Sequence, residues 1–263
     1  MPSYRKPPID EVVSGMRFQV PSGLRMTHIG LLWNRFRKEY PNIEHAFPIA
    51  MTKGEIPTDS VTGLPLPRVW FINEKDDQLI QFQSDRFYYN WRRRKDEYPR
   101  YQFVIKNFEY VLNTILEFFN EFGLGQLKPL EYELTYINHI PQGQGWSSVG
   151  NLEGVFVDLN WDASAHTFLP NPISVSWQNT FELPGNKGHL NAALRVATRT
   201  TDKVPVLVLE LRATVTGELS IGGTSREWFN LAHEWIVRGF TDLTTSSVHK
   251  IWEREDNVSD SKQ

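Results

Sequence analysis

The densest chemistry in the sequence lies between Arg86 and Tyr101, where Tyr88, Tyr89, Trp91, Tyr98 and Tyr101 are interleaved with Arg86, Arg92, Arg93, Arg94, Lys95 and Arg100. Guanidinium groups among ring faces can grip phosphates while bases or other rings stack on the aromatics. Strand periodicity offers a plainer role: alternate aromatics pack into a sheet and the arginines form its solvated edge. Two polar residues stand out within the run. Asn90 sits between Tyr89 and Trp91, and Arg100 between Pro99 and Tyr101.

The other candidates are sparser. None of the seven histidines has a second histidine four residues away, and His233-Glu234 is followed by Val237 where a helical zinc motif needs its second ligand. No metal or cofactor is therefore expected. Asn138-His139 near the end of a strand could reach a pocket. No phosphate-loop, dinucleotide-binding or serine-elbow string occurs; Gly222-Gly223-Thr224-Ser225 reads as a capped turn with anion binding as the alternative. Asp76-Asp77 and Glu131 with Glu133 fall in a turn and at a strand start, where acids meet water. Ser174, Ser176, Gln178 and Thr180 with Asn191, Arg195 and Arg199 make one polar strand face.

The elements that must position these residues follow from periodicity. Val12, Ser14, Met16, Phe18 and Val20 predict a strand, and Ile29, Leu32, Trp33, Phe36 and Tyr40 a helix over 24–40. An exposed loop or hairpin tip is expected over 53–67, a short strand over 69–72, and a longer one over 79–91, with a bulge near Ser84-Asp85 or burial on both faces because its apolar phase shifts there. Val104, Phe108, Val111, Leu112, Ile115, Phe119 and Phe122 predict a long helix capped by Gly123. The order then restarts: a strand over 132–140, a short helix over 147–156, a hairpin from Ile173 to Val196, a strand through Leu207–Val215, and a helix from a Thr224/Glu227 capping box to Leu243. The reading is an α+β fold of two similar halves, each strand, helix, antiparallel sheet and long helix, pairing into one pseudo-symmetric unit. The boundaries are 1–128 and 129–252, with a polar, disordered tail over 253–263.

Composition narrows the function classes. There is no cysteine, which removes disulfides and thiolate chemistry and fits the cytoplasm. No secretory signal and no apolar stretch of membrane-spanning length is visible. Net charge is −3, far from the balance of a dedicated nucleic-acid binder, but it is uneven: 18 basic and 15 acidic residues up to Lys128, 10 and 16 after it.

Lys6-Pro7-Pro8-Ile9-Asp10-Glu11-Val12, Phe87-Tyr88-Tyr89-Asn90-Trp91-Arg92, Tyr98-Pro99-Arg100-Tyr101 and Leu134-Thr135-Tyr136-Ile137-Asn138 resemble the signature stretches of a sporadically distributed, uncharacterised bacterial protein family, over nearly the whole chain. That resemblance implies bacterial origin and suggests mobile or defence-associated genes, of phage-defence or toxin–antitoxin type, without implying a reaction. The leading expectation is a non-enzymatic binding protein, a subunit or regulator of a multi-component system that holds a protein partner. The candidate contacts are Arg86, Asn90, Trp91, Arg92, Arg93, Arg94, Arg100, Tyr101, Asn138 and His139. Two alternatives stand beside it: nucleic-acid binding through the Arg86–Tyr101 run, and an enzyme of unrecognised type with Asn90, Arg100 or His139 in a pocket between the halves.

Overall fold

The computed structural model describes residues 1–21, 23–50, 56–59, 61–95, 97–217 and 224–255. The chain is α+β, with long helices and extensive antiparallel strand pairing. Of the described residues, those within Glu11–Leu134 and Thr214–Ser225 form one compact unit, and those within Met1–Asp10, Thr135–Ala213 and Arg226–Gln263 the other. The expected cut at Lys128 differs from this division, because the first ten residues join the C-terminal unit and the described residues of 214–225 the N-terminal one.

The elements in chain order are β1 (Ser3–Tyr4), β2 (Ile9–Phe18), α1 (Met26–Phe36), β3 (Asn42–Ala46), β4 (Arg68–Ile72), β5 (Gln78–Gln83), β6 (Arg86–Arg92), α2 (Tyr101–Glu121) and β7 (Pro129–Pro141). They continue with β8 (Ser176–Glu182), β9 (His189–Thr198), β10 (Pro205–Thr216), α3 (Ser225–Leu243), α4 (Ser246–Ile251) and β11 (Arg254–Glu255).

In the N-terminal unit the strand order is β3-β4-β5-β6-β2. Phe82 pairs with Phe87, Ile80 with Tyr89 and Gln78 with Trp91, so these residues share the face that α2 covers. The Phe87 and Phe108 rings stack at 5.4 Å, and Phe18 meets Phe119 edge-on at 5.9 Å. The single strand expected over 79–91 is thus a hairpin. Its apolar phase shifts because Ser84-Asp85 is a two-residue turn between the paired Gln83 and Arg86, not a bulge.

The stretch before β4 is the expected hairpin tip, closed by an antiparallel bridge between Thr58 and Pro65, but it carries one buried acid. Asp59 is only 2% exposed, and its carboxylate accepts the Met26, Val61 and Thr62 N–H groups at 2.9, 2.9 and 3.1 Å. Residue 25, at the start of α1, is an arginine, a poor cap, so a carboxylate 33 residues beyond Met26 supplies the missing acceptor. Residues 53–55 and 60 of that predicted loop lie outside the described residues.

In the C-terminal unit the strand order is β7-β10-β9-β8. Leu207, Leu209, Leu211 and Ala213 of β10 and Leu190, Ala192 and Leu194 of β9 are buried, as are Trp228, Phe229, Ala232, Ile236 and Phe240 of α3. Residues 147–156, expected as a helix, form turns and bends that end in a bridge at Phe156, so the second half lacks the strand-then-helix opening of the first. Internal duplication is not shown. Part of the expected polar tail is also ordered: Arg254–Glu255 pairs with Ser3–Tyr4, and Glu253 bridges Arg5 and Lys6 at 2.5 Å each. The rest of that tail, 256–263, lies outside the described residues, as does Gly222-Gly223. Among the described residues, no helix is long and apolar enough to cross a membrane.

Candidate functional site

The Arg86–Tyr101 run is spent largely on internal structure. Arg86 is 9% exposed and makes a two-point pair with Asp85, itself 3% exposed, with Nε–Oδ1 at 3.0 Å and Nη2–Oδ2 at 2.7 Å. Gln83 closes the same cluster by donating to Asp85 Oδ1 at 2.9 Å and exchanging two bonds with the Ile49 backbone. Asn90 donates to Glu11 Oε1 at 2.6 Å and accepts from Gln81 at 3.0 Å, leaving it little capacity for a ligand. Arg92 and Arg94 both reach Asp76, Arg92 also donating to its backbone oxygen at 2.8 Å. Trp91 is buried against Tyr98, with ring centroids 5.2 Å apart, and Tyr101 is buried at the start of α2. Arg93 is half-buried. Arg100 precedes that helix with φ +75°, a backbone region non-glycine residues seldom occupy.

Asn138 and His139 alternate to opposite faces of β7. Asn138 is buried, donates to the Leu209 carbonyl at 3.1 Å, and lines a 40 Å³ apolar cavity with Tyr4, Tyr136 and Phe240. His139 is half-exposed, with Nδ1 3.4 Å from the Asp10 carboxylate. Asn90 and Arg100 belong to the N-terminal unit and His139 to the C-terminal one. Among the described residues, no group of three or more histidines, aspartates and glutamates could hold a metal.

The most open chemistry lies along the outer edge of the C-terminal unit. β8 is the last strand in its order, and six of its seven residues are exposed. Ser176, Gln178 and Thr180 point to one face, Ser176 opposite Arg195 and Thr180 bonded to Asn191 at 2.6 Å, which is the polar face expected from the sequence. Trp177, Asn179 and Phe181 point to the other, beside Leu194, Ala192 and Leu190 of β9.

The loop from 157 to 175 leads into this strand. It carries some order of its own: Trp161 stacks on His166 at 4.0 Å, and Asp162 accepts from the Ser164 backbone and hydroxyl at 2.9 and 2.6 Å. Those Ser164 bonds lower the Asp162 pKa. Yet Phe168 is 91% and Ile173 94% exposed, with Leu169 also open to solvent. A cavity of about 360 Å³ lies between Leu152, Trp161, Pro172 and Ser176, and Asp158 joins it to a second of about 460 Å³ between α3 and β8. The alternation in the sequence marks both faces of β8, the polar one and the row of Trp177 and Phe181, but not the groove, because alternation identifies a face without revealing whether a helix reaches it.

No protein-family model and no curated protein matches the chain. Among solved structures it is similar to the crystal structure of DynU16, a putative protein in the dynemicin biosynthetic locus, at 12% identity over 93% of this chain and 99% of that one, with a TM-score of 0.28.

Proposed function

We propose that this chain is a non-enzymatic binding protein of the bacterial cytoplasm, a subunit or regulator that takes a protein partner on the outer edge of its C-terminal unit. One observation carries the reading: Phe168 and Ile173 stand almost fully in solvent on the loop feeding an edge strand whose outer side has no partner strand among the described residues. An open edge offers backbone donors and acceptors to an added strand, and exposed large apolar residues beside it supply the burial that makes such addition favourable. The arginine run does not favour nucleic acid, since Arg86, Arg92 and Arg94 each already face an acid.

The test is quantitative co-purification from the organism of origin, with neighbouring gene products intact, of wild type and of the double variant F168D/I173D. A stoichiometric companion retained by wild type and lost by the variant, with equal melting temperatures, is expected. A clean monomer in both preparations defeats the proposal.

A further inference from the structure

The groove between α3 and β8 is built from three separate stretches of the C-terminal unit. Its floor and walls include Leu190 and Leu243, both buried, with Phe181 from β8 and Trp235 from α3. Gly239 lets the helix settle close to β9, for a Cβ there would stand 3.1 Å from Leu190 Cδ2. Trp228 Nε1 donates to the Lys187 carbonyl at 2.9 Å, tying α3 to the β8–β9 connection. The third stretch is held by the Val157 N–H on the Leu243 carbonyl at 3.1 Å and by the Phe156–Thr244 bridge, which brings Asp158 beside the end of α3. A cavity of about 460 Å³ lies within the range of small-ligand sites, about 300–1,000 Å³.

The charges in this groove are unbalanced. Asp158, Glu234 and Asp242 line it with a single cation, Arg238. Arg238 already pairs with Glu234 one helical turn away at 2.9 Å, so those two cancel. Among the described residues no cationic side chain pairs with Asp158 or Asp242. Two uncompensated carboxylates from distant parts of the chain thus face a cavity that also holds two aromatic rings, whose faces attract cations. An anion would meet like charge, and a neutral apolar molecule would leave both carboxylates unused.

We propose that this groove binds a small organic cation, an aromatic or aliphatic body carrying one ammonium or amidinium group. The apolar body lies against Phe181, Trp235 and Leu190, and the charged end sits between Asp158 and Asp242. This does not depend on the protein-partner reading.

Benzylammonium, benzyl alcohol and benzoate are titrated at low ionic strength into the full chain, followed by calorimetry and by the indole N–H resonance of Trp235, assigned with W235F. Benzylammonium is expected to bind saturably at millimolar concentration and shift that resonance, benzyl alcohol to bind several-fold more weakly, and benzoate not to bind. Asp158→Asn and Asp242→Asn, both at exposed positions, should each weaken benzylammonium by about two- to fivefold, the range of an exposed ion pair, and leave benzyl alcohol unchanged. The proposal is overturned if the three probes bind alike, if Trp235 does not respond to benzylammonium, or if both variants bind it as wild type does.

Discussion

Tyr88 lies across Gly15, its antiparallel partner in β2, so closely that a Cβ at position 15 would stand 2.1 Å from Tyr88 Cδ1 and 2.4 Å from Cε1. A glycine in a central strand forfeits side-chain packing, and here a cross-strand ring occupies the space. Gly15→Ala must therefore expel the ring or bend the strand. It is expected to destabilise the protein by about 1–3 kcal/mol, the usual cost of overpacking. Tyr88→Ala should relieve most of that penalty, so the two substitutions couple strongly in a double-mutant cycle read by urea unfolding. Additive effects would mean the ring is free to move aside.

The Asp85–Arg86 pair makes a different prediction from the arginines next to it. Both partners are buried, so removing one leaves the other as an uncompensated charge away from water. Arg86→Ala is expected to cost about 3–5 kcal/mol. Arg94→Ala, at an exposed position paired with Asp76, should cost no more than about 1 kcal/mol. Denaturant midpoints of the two variants provide the comparison; similar losses would show that the Asp85–Arg86 pair is not held in a low-dielectric setting.

Asp59 gives a prediction about acid. Bonds from the Met26, Val61 and Thr62 backbone hold its pKa at about 2, below the ordinary 3.8. The sign follows from linkage: a carboxylate depressed by folding contributes stability that is complete above about pH 4 and is lost as pH falls through 2. Asp59→Ala should lower the melting temperature at neutral pH and flatten the decline between pH 4 and pH 2. Asp59→Asn, which keeps an acceptor oxygen, should restore part of the neutral-pH stability but not the acid dependence. A wild-type acid profile unchanged in Asp59→Ala would show that other carboxylates govern this range.

These residues also mark what could and could not be read in advance. The stripe of Val104, Phe108, Val111, Ile115 and Phe119 is legible because one face of α2 rests on one sheet, and a single period describes it. The β8–β9 hairpin is legible for the same reason with a period of two. The Ser84-Asp85 turn was hidden because its polar residues are buried by a cluster reaching back to Ile49, and a shifted apolar phase fits a bulge equally well. Asp59 was hidden because its partner at Met26 is distant in sequence. The groove depends on how far α3 extends over β8, a matter of tertiary spacing that no local pattern encodes. Most of the arginine run looked available because the acids that face it, Asp76 above all, come from another strand's turn.

His233 provides a second pH dependence on the acid side of neutrality, at higher pH than that of Asp59. On α3, its Nδ1 lies 3.0 Å from Tyr136 Oη with the rings stacked at 5.9 Å, and burial pushes its pKa down to about 4. An unfolded histidine titrates near 6.5. Between these values the unfolded chain binds a proton that the folded chain does not, so stability is complete above about pH 6.5 and declines as pH falls toward 4. Allowing for the side chain's part exposure, the span is about 1–3 kcal/mol. His233→Gln keeps a polar partner for Tyr136 but carries no proton, so it should remove this segment of the slope. Urea unfolding at half-unit steps from pH 4 to pH 8 reads it directly. The wild-type and variant curves should diverge with rising pH up to about 6.5 and run parallel above; curves parallel throughout would show that His233 titrates alike in both states.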